Sequence, residues 1–167
     1  MIVVIDADYG EGEATVAGVF AEKADSAESC GFLRLKTKIY GEYESGQFYK
    51  RELPCVQAIL EKINLASVDL VIVDGYADFG TEKTPLGKFV YELNRLPIIG
   101  VAKKQCQYCA LSNTEVFRGN SQSPLFVTSY GISHEEAKEI VRQMSGEHRL
   151  PHLIKLADAC ARGNIKW

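Results

Sequence analysis

Two short apolar runs, each followed by an aspartate, most constrain how this chain can fold. The first run is residues 2–5, before Asp6, and the second is residues 70–73, before Asp74. Short runs rich in β-branched residues predict buried strands. A carboxylate at the end of a buried strand is costly unless its charge is compensated, and buried charges are usually paired or bound to metal. If the two strands are neighbours in a sheet, both carboxylates lie at one edge and can share a metal ion.

Asp8 extends this pattern, because it lies two residues after Asp6 and shares its face of the strand. The alternative interpretation is that these aspartates start turns, as Asp-Gly at 74–75 often does. The pattern alone leaves both interpretations open.

The remaining periodicity predicts an α/β fold in one domain, residues 1–167. Apolar and alternating segments predict an antiparallel meander at residues 2–8, 14–21 and 31–39, then strands at 70–74, 97–102 and 125–128. Apolar residues at helical spacing predict helices at residues 52–64, 85–94, 133 to about 144 and 151–162. This order predicts a mixed sheet with helices on its faces.

Composition narrows the function classes. The chain is 46% hydrophobic and 25% charged, which is typical of a globular protein, and its apolar runs are too short to cross a membrane. No apolar leader opens the sequence, so we expect a cytoplasmic protein. The net charge of −3 does not suggest a nucleic-acid binder, although cations bound at an acidic site would cancel part of it.

Five cysteines in a chain without a leader indicate reduced thiols: Cys30, Cys55, Cys106, Cys109 and Cys160. Cys106 and Cys109 have the spacing of half a zinc site. No second pair at suitable spacing follows, so we favour ordinary thiols.

Motifs along most of the chain resemble the endonuclease V family. The central signature is Val73-Asp74-Gly75 followed by Leu96-Pro97-Ile98-Ile99-Gly100-Val101-Ala102-Lys103-Lys104. The flanking matches, in chain order, are Ile5-Asp6-Ala7-Asp8-Tyr9, Arg51-Glu52 with Pro54, Pro124-Leu125-Phe126-Val127-Thr128-Ser129 with Ile132-Ser133, and Arg149-Leu150-Pro151 with Leu156-Ala157-Asp158. Their order and spacing, from residue 5 to about 162, make the resemblance specific.

The resemblance implies a ribonuclease H-like fold and a metal-dependent endonuclease. Such enzymes hydrolyse a phosphodiester bond on the 3′ side of a deaminated base (inosine), in DNA or RNA, with Mg²⁺ or Mn²⁺. Carried over by position, the metal-binding and catalytic carboxylates would be those of Asp6, Glu52, Asp74 and Asp158. Lys103 matches a lysine close to the catalytic site. Carboxylate oxygens are ligands that suit Mg²⁺.

Two regions depart from the family pattern. Tyr43 and Gly46 match a loop that wedges the strands apart, but Glu42 and Ser45 replace its two prolines. After Asp74, where the family usually has histidines, this chain has Tyr76-Ala77-Asp78-Phe79. The histidines of this chain match no catalytic role: His134, His148 and His152. The sequence therefore predicts a retained metal site beside an altered base pocket and wedge.

Three functions are compatible with these observations. The first is cleavage near inosine. The second is cleavage by the same fold of a different substrate, such as branched or single-stranded DNA. The third is a nucleic-acid-binding module that has lost efficient cleavage. Retention of all four acids favours an enzyme, because binding alone does not require that cluster.

Overall fold

A computed structural model of the protein describes residues 1–39, 49–81 and 85–165. The strands are β1 (Ile2–Tyr9), β2 (Glu13–Ala21), β3 (Gly31–Lys38), β4 (Leu70–Asp74), β5 (Ile98–Ala102), β6 (Glu115–Val116) and β7 (Leu125–Tyr130). The helices are α1 (Tyr49–Leu60), α2 (Leu86–Asn94), α3 (His134–Gln143) and α4 (His152–Ala161). Within the described ranges, no helix has the length and apolar character needed to cross a membrane.

In the described part of the chain, the seven strands form one mixed sheet in the order β3-β2-β1-β4-β5-β7-β6. The first three strands are the predicted antiparallel meander. β4 then pairs with β1 and β5 with β4, both in parallel, and β7 returns antiparallel to β5. The predicted mixed α/β sheet is therefore confirmed.

Alternate residues of the central strands enter two separate cores. Val3 and Ile5 of β1 pack with α1 and α2 on one face of the sheet. Ile2 and Val4 pack with α3 and α4 on the other face. Because side chains alternate along a strand, Asp6 continues the set that faces α4. Asp74 continues the corresponding set on β4, after Leu70 and Ile72.

The sequence-based prediction was wrong about the bounds of α1 and missed β6. The predicted helix at residues 52–64 would have Pro54 in its first turn, but α1 begins at Tyr49 and Pro54 lies inside it. It ends at Leu60 because the next turn tightens, and the N–H of Lys62 donates to the carbonyl of Ile59. β6 has only two residues, which is too short for an alternating pattern to show.

Gly100 allows the loop after β4 to lie directly against β5. A Cβ at this position would approach the backbone nitrogen of Ala77 to 2.3 Å and the carbonyl oxygen of Gly75 to 2.6 Å. The N–H of Ala77 also donates to the hydroxyl of Thr128 at 2.9 Å. This close packing holds the segment that follows Asp74 against the sheet.

We expect Gly100→Ala to lower the free energy of unfolding by about 2–3 kcal/mol, because backbone atoms must move to admit the methyl group. Urea denaturation measures the change. Gly10→Ala is the matched control, since its Cβ would meet its nearest neighbour, the carbonyl oxygen of Glu13, at 3.5 Å. Equal stability of the two variants would contradict the close packing at Gly100.

Candidate metal centre

The register of β1 and β4 places two aspartates side by side. Ile5 pairs with Val73 in the parallel ladder, and Asp6 and Asp74 directly follow these residues. Asp158 approaches from α4, which packs across β1, β2 and β4. One carboxylate oxygen from each aspartate can be chosen so that all three atoms lie within 4.8 Å of one another. The structure thus brings together three of the four predicted carboxylates.

Two cations border this aspartate cluster, which we define as Asp6, Asp74 and Asp158. Lys103 follows β5, the strand next to β4, and its Nζ lies 2.5 Å from Oδ2 of Asp74. The Nε of Arg162 donates to Oδ1 of Asp158 at 2.9 Å. Arg162 was not predicted, although its spacing of four residues from Asp158 on a helix is one at which charged side chains meet.

Arg149 fixes the backbone that carries Lys103. Its guanidinium donates to the carbonyl oxygen of Lys103 and, at 2.8 Å, to that of Pro124. Its Nε donates to the carbonyl oxygen of Ser123 at 2.9 Å. The Arg149-Leu150-Pro151 motif therefore ties the end of β5 to the segment that precedes β7.

Glu52, on α1, lies outside the aspartate cluster but lines a cavity that also borders Asp6 and Asp74. The cavity measures about 60 Å³ and is bordered by Asp6, Asp74, Glu52, Tyr9 and Tyr76, among others. The Oε1 of Glu52 would lie 3.8 Å from a Cβ at Gly75, so its carboxylate is directed towards the end of β4. Glu52 therefore shares the cavity with Asp6 and Asp74, whereas the tight group consists of the aspartates alone.

Burial and the charge of neighbouring aspartates make Asp6 and Asp74 costly to ionise. Burial, followed by the charge of Asp74, raises the pKa of Asp6 to about 7. Burial also raises the pKa of Asp74, although the hydrogen bond from Lys103 opposes it. Burial would lower the pKa of Lys103, but its contact with Asp74 outweighs burial and raises that pKa. Lys103 therefore offsets only part of the cost of burying Asp74, while Arg162 pairs with Asp158.

The donor set fits a hard divalent cation. Three carboxylates offer oxygen atoms that lie within 4.8 Å of one another. Oxygen atoms are the ligands that Mg²⁺ and Mn²⁺ prefer. A cation at this position would offset the burial and the charge of Asp74 that together raise the pKa of Asp6. The aspartates therefore have the chemistry and the spacing of a metal centre.

Other residues singled out in the sequence lie elsewhere. Within the described ranges, no histidine or cysteine belongs to a group of three or more side chains with metal-ligand spacing. Tyr43 and Gly46, predicted for the wedge loop, fall outside the described residues. Tyr76 was missed as a residue of the cavity, because no pattern marks it beyond its position two residues after Asp74.

Comparisons with known proteins establish the fold. No protein-family model matches the chain, and no curated protein matches it. Solved structures do match: endonuclease V from Ciona intestinalis, bound to DNA containing an inosine, has a TM-score of 0.77 at 19% identity over 98% of this chain and 84% of its own. Endonuclease V from Streptomyces avermitilis gives 0.77 at 20% identity over 98% and 80%. The catalytic domain of human endonuclease V gives 0.73 at 22% identity over 98% and 81%.

We expect Asp6→Asn to stabilise the metal-free protein by up to about 4 kcal/mol at pH 8. The pKa of Asp6 is raised from 3.8 to about 7 in the folded state. The folded state therefore binds this proton more tightly, and the carboxyl destabilises the fold progressively as the pH rises from about 4 to 7. Since one pKa unit corresponds to about 1.4 kcal/mol, the gain should be present at pH 8 and absent at pH 4.

Thermal melts with and without Mn²⁺ complete this test. Millimolar Mn²⁺ should raise the melting temperature of the wild type, because the ion binds the native state better than the unfolded chain. The same Mn²⁺ concentration should raise the melting temperature of Asp6→Asn much less. Asp25→Asn is the control, since Asp25 is exposed in the β2–β3 connection, at the opposite end of the sheet from Asp6. A loss of stability in Asp6→Asn at pH 8 would contradict the cost of burying this carboxylate beside Asp74.

Proposed function

We propose that this protein is a metal-dependent endonuclease that hydrolyses a phosphodiester bond in nucleic acid. The observation that carries the proposal is the convergence of Asp6, Asp74 and Asp158 beside Lys103 at one edge of the sheet. Nucleic-acid backbones are anionic, and a cation held by carboxylates with a neighbouring lysine is suited to a phosphate. The chain also has the fold of endonuclease V structures, including one in complex with DNA.

Three of the candidate site residues would hold the metal ion, and two would act on the water and the phosphate beside it. Asp6, Asp74 and Asp158 would hold Mg²⁺ or Mn²⁺, which when bound polarises the phosphate and an attacking water. Glu52 lines the cavity from α1 and would orient water or complete the ligand set. Lys103 lies against Asp74 and would offset the negative charge that develops on the phosphate.

The substrate that we propose is a strand containing a deaminated base, cut on the 3′ side of inosine. Support comes from the sequence resemblance and from the Ciona protein, which was crystallised with DNA containing an inosine. The departure after Asp74 favours a second candidate, a nuclease of the same fold with another substrate. There Tyr76 lines the cavity at a place where the resembled family usually has histidines.

The deciding experiment is cleavage of labelled DNA and RNA, single- and double-stranded, each with and without one inosine, in Mg²⁺ or Mn²⁺. A cut 3′ to inosine supports the first candidate. Cleavage that ignores inosine supports the second. Binding without cleavage under all conditions would reduce the protein to a nucleic-acid-binding module.

We expect Asp74→Asn to lower the cleavage rate by about 100-fold or more, because even residues that only support metal ligands contribute 10- to 100-fold. Lys103→Met should lower kcat by about 100-fold, as expected for loss of one charge-stabilising group. Asp25→Asn serves as the control in the same gel assay. Full activity of Asp74→Asn would exclude the aspartate cluster as the catalytic centre.

A further inference from the structure

The segment after Lys103 forms a loop that is held in place by one side chain of the cavity lining. We define it as the 104–109 loop. The hydroxyl of Tyr76 donates to the carbonyl oxygen of Lys104 and accepts from the N–H of Cys106, both at 3.0 Å. Tyr76 also lines the cavity that borders Asp6 and Asp74. The position of the loop is therefore set by the same residue that borders the cavity.

The inner side of the 104–109 loop is apolar. Cys106 and Cys109 pack against a small buried cluster, whose members are Tyr76, Phe79, Ala102 and Phe126. Within this cluster Tyr76 stacks on Phe79, with ring centroids 4.7 Å apart and planes at 21°. The N–H of Cys109 donates to the carbonyl oxygen of Cys106 at 3.0 Å, which closes a turn. The two thiols therefore anchor the loop by packing.

The outer side of the 104–109 loop is exposed and carries polar and aromatic side chains. Lys104, Gln105, Gln107 and Tyr108 are exposed, and Tyr108 has half of its surface accessible. Residues 93–114 contain no aspartate or glutamate, although the chain as a whole carries a net charge of −3. Asp78, which lies near Cys109, accepts a hydrogen bond from the N–H of Gly80 at 2.7 Å. The exposed side thus combines one cation, two amides and an aromatic ring.

We propose that the 104–109 loop is a second contact surface for the nucleic acid, on which Tyr108 stacks against an unpaired base and Lys104 contacts a phosphate. The proposal rests on the proposed function, because the loop continues directly from Lys103. An aromatic ring beside a cation is the arrangement by which proteins hold single strands without reading sequence. The turn between Cys106 and Cys109 presents Tyr108 on a fixed scaffold, which limits the entropy lost on binding.

Binding measurements with a fluorescent single-stranded oligonucleotide test this surface. All variants carry Asp74→Asn, so that the strand stays intact during the measurement of anisotropy. Tyr108→Ala should weaken affinity by about 10-fold, within the range for loss of one base–aromatic stack. Tyr108→Phe should bind as well as Tyr108, because it keeps the ring. Phe117→Ala is the matched control, since Phe117 is an equally exposed aromatic outside the loop.

Two further readouts separate stacking from charge. Lys104→Ala should lower the slope of log affinity against log salt by about one, whereas Tyr108→Ala should leave that slope unchanged. An oligonucleotide in which every nucleotide is abasic should abolish the effect of Tyr108→Ala, because no base remains to stack on the ring.

The outcomes distinguish this proposal from the proposed function. Equal affinities for Tyr108→Ala and Phe117→Ala, or an effect of Tyr108→Ala that persists on the fully abasic oligonucleotide, would overturn the loop surface while wild-type cleavage still supports the nuclease. A failure of Tyr108→Phe to restore binding would also overturn it. If the wild type neither binds nor cuts any nucleic acid, the proposed function and the loop surface are both rejected.

Discussion

The parallel pairing of β1 with β4 is the constraint on which the candidate site depends. Ile5 opposite Val73 leaves Asp6 and Asp74 as neighbours at the end of both strands. A shift of one residue in either strand would turn its aspartate to the opposite face, because side chains alternate. Apolar residues fill both cores next to this pair, so any such shift would also expose them. The hydrophobic pattern that folds the sheet therefore also sets the position of the two carboxylates.

The same position makes the site energetically unfavourable without compensation. Burial raises the pKa of both Asp6 and Asp74, and the contact of Lys103 with Asp74 offsets only part of this cost. A fold selected for stability alone would place apolar or neutral side chains there. Charged residues retained at a cost to stability are typical of functional sites. The energetic cost is thus an independent reason to regard the aspartate cluster as functional.

The sequence predicted those parts of the structure that depend on local patterns. Long apolar or alternating runs located β1 to β5 and β7, and the ends of two runs marked Asp6 and Asp74. The start of α1 was wrong because Pro54 is typical of a first turn, yet it lies within the helix. Arg149 acts through backbone carbonyls far along the chain, and no spacing in the sequence reveals such contacts. Asp158 was found only through the family resemblance, since a single aspartate on a helix carries no local signal.

Tyr76 connects the cavity beside Asp6 and Asp74 to the 104–109 loop. Its hydroxyl bonds the backbone at Lys104 and Cys106, so the phenol spans the distance from the cavity to the 104–109 loop. Its ring stacks on the ring of Phe79. Cys106 and Cys109 pack against the apolar cluster that contains both rings. A smaller side chain at position 76 would remove packing contacts from Cys106 and Cys109 and both side-chain hydrogen bonds to the loop backbone. The tyrosine, the phenylalanine and the two cysteines therefore form one structural unit beside Asp6 and Asp74.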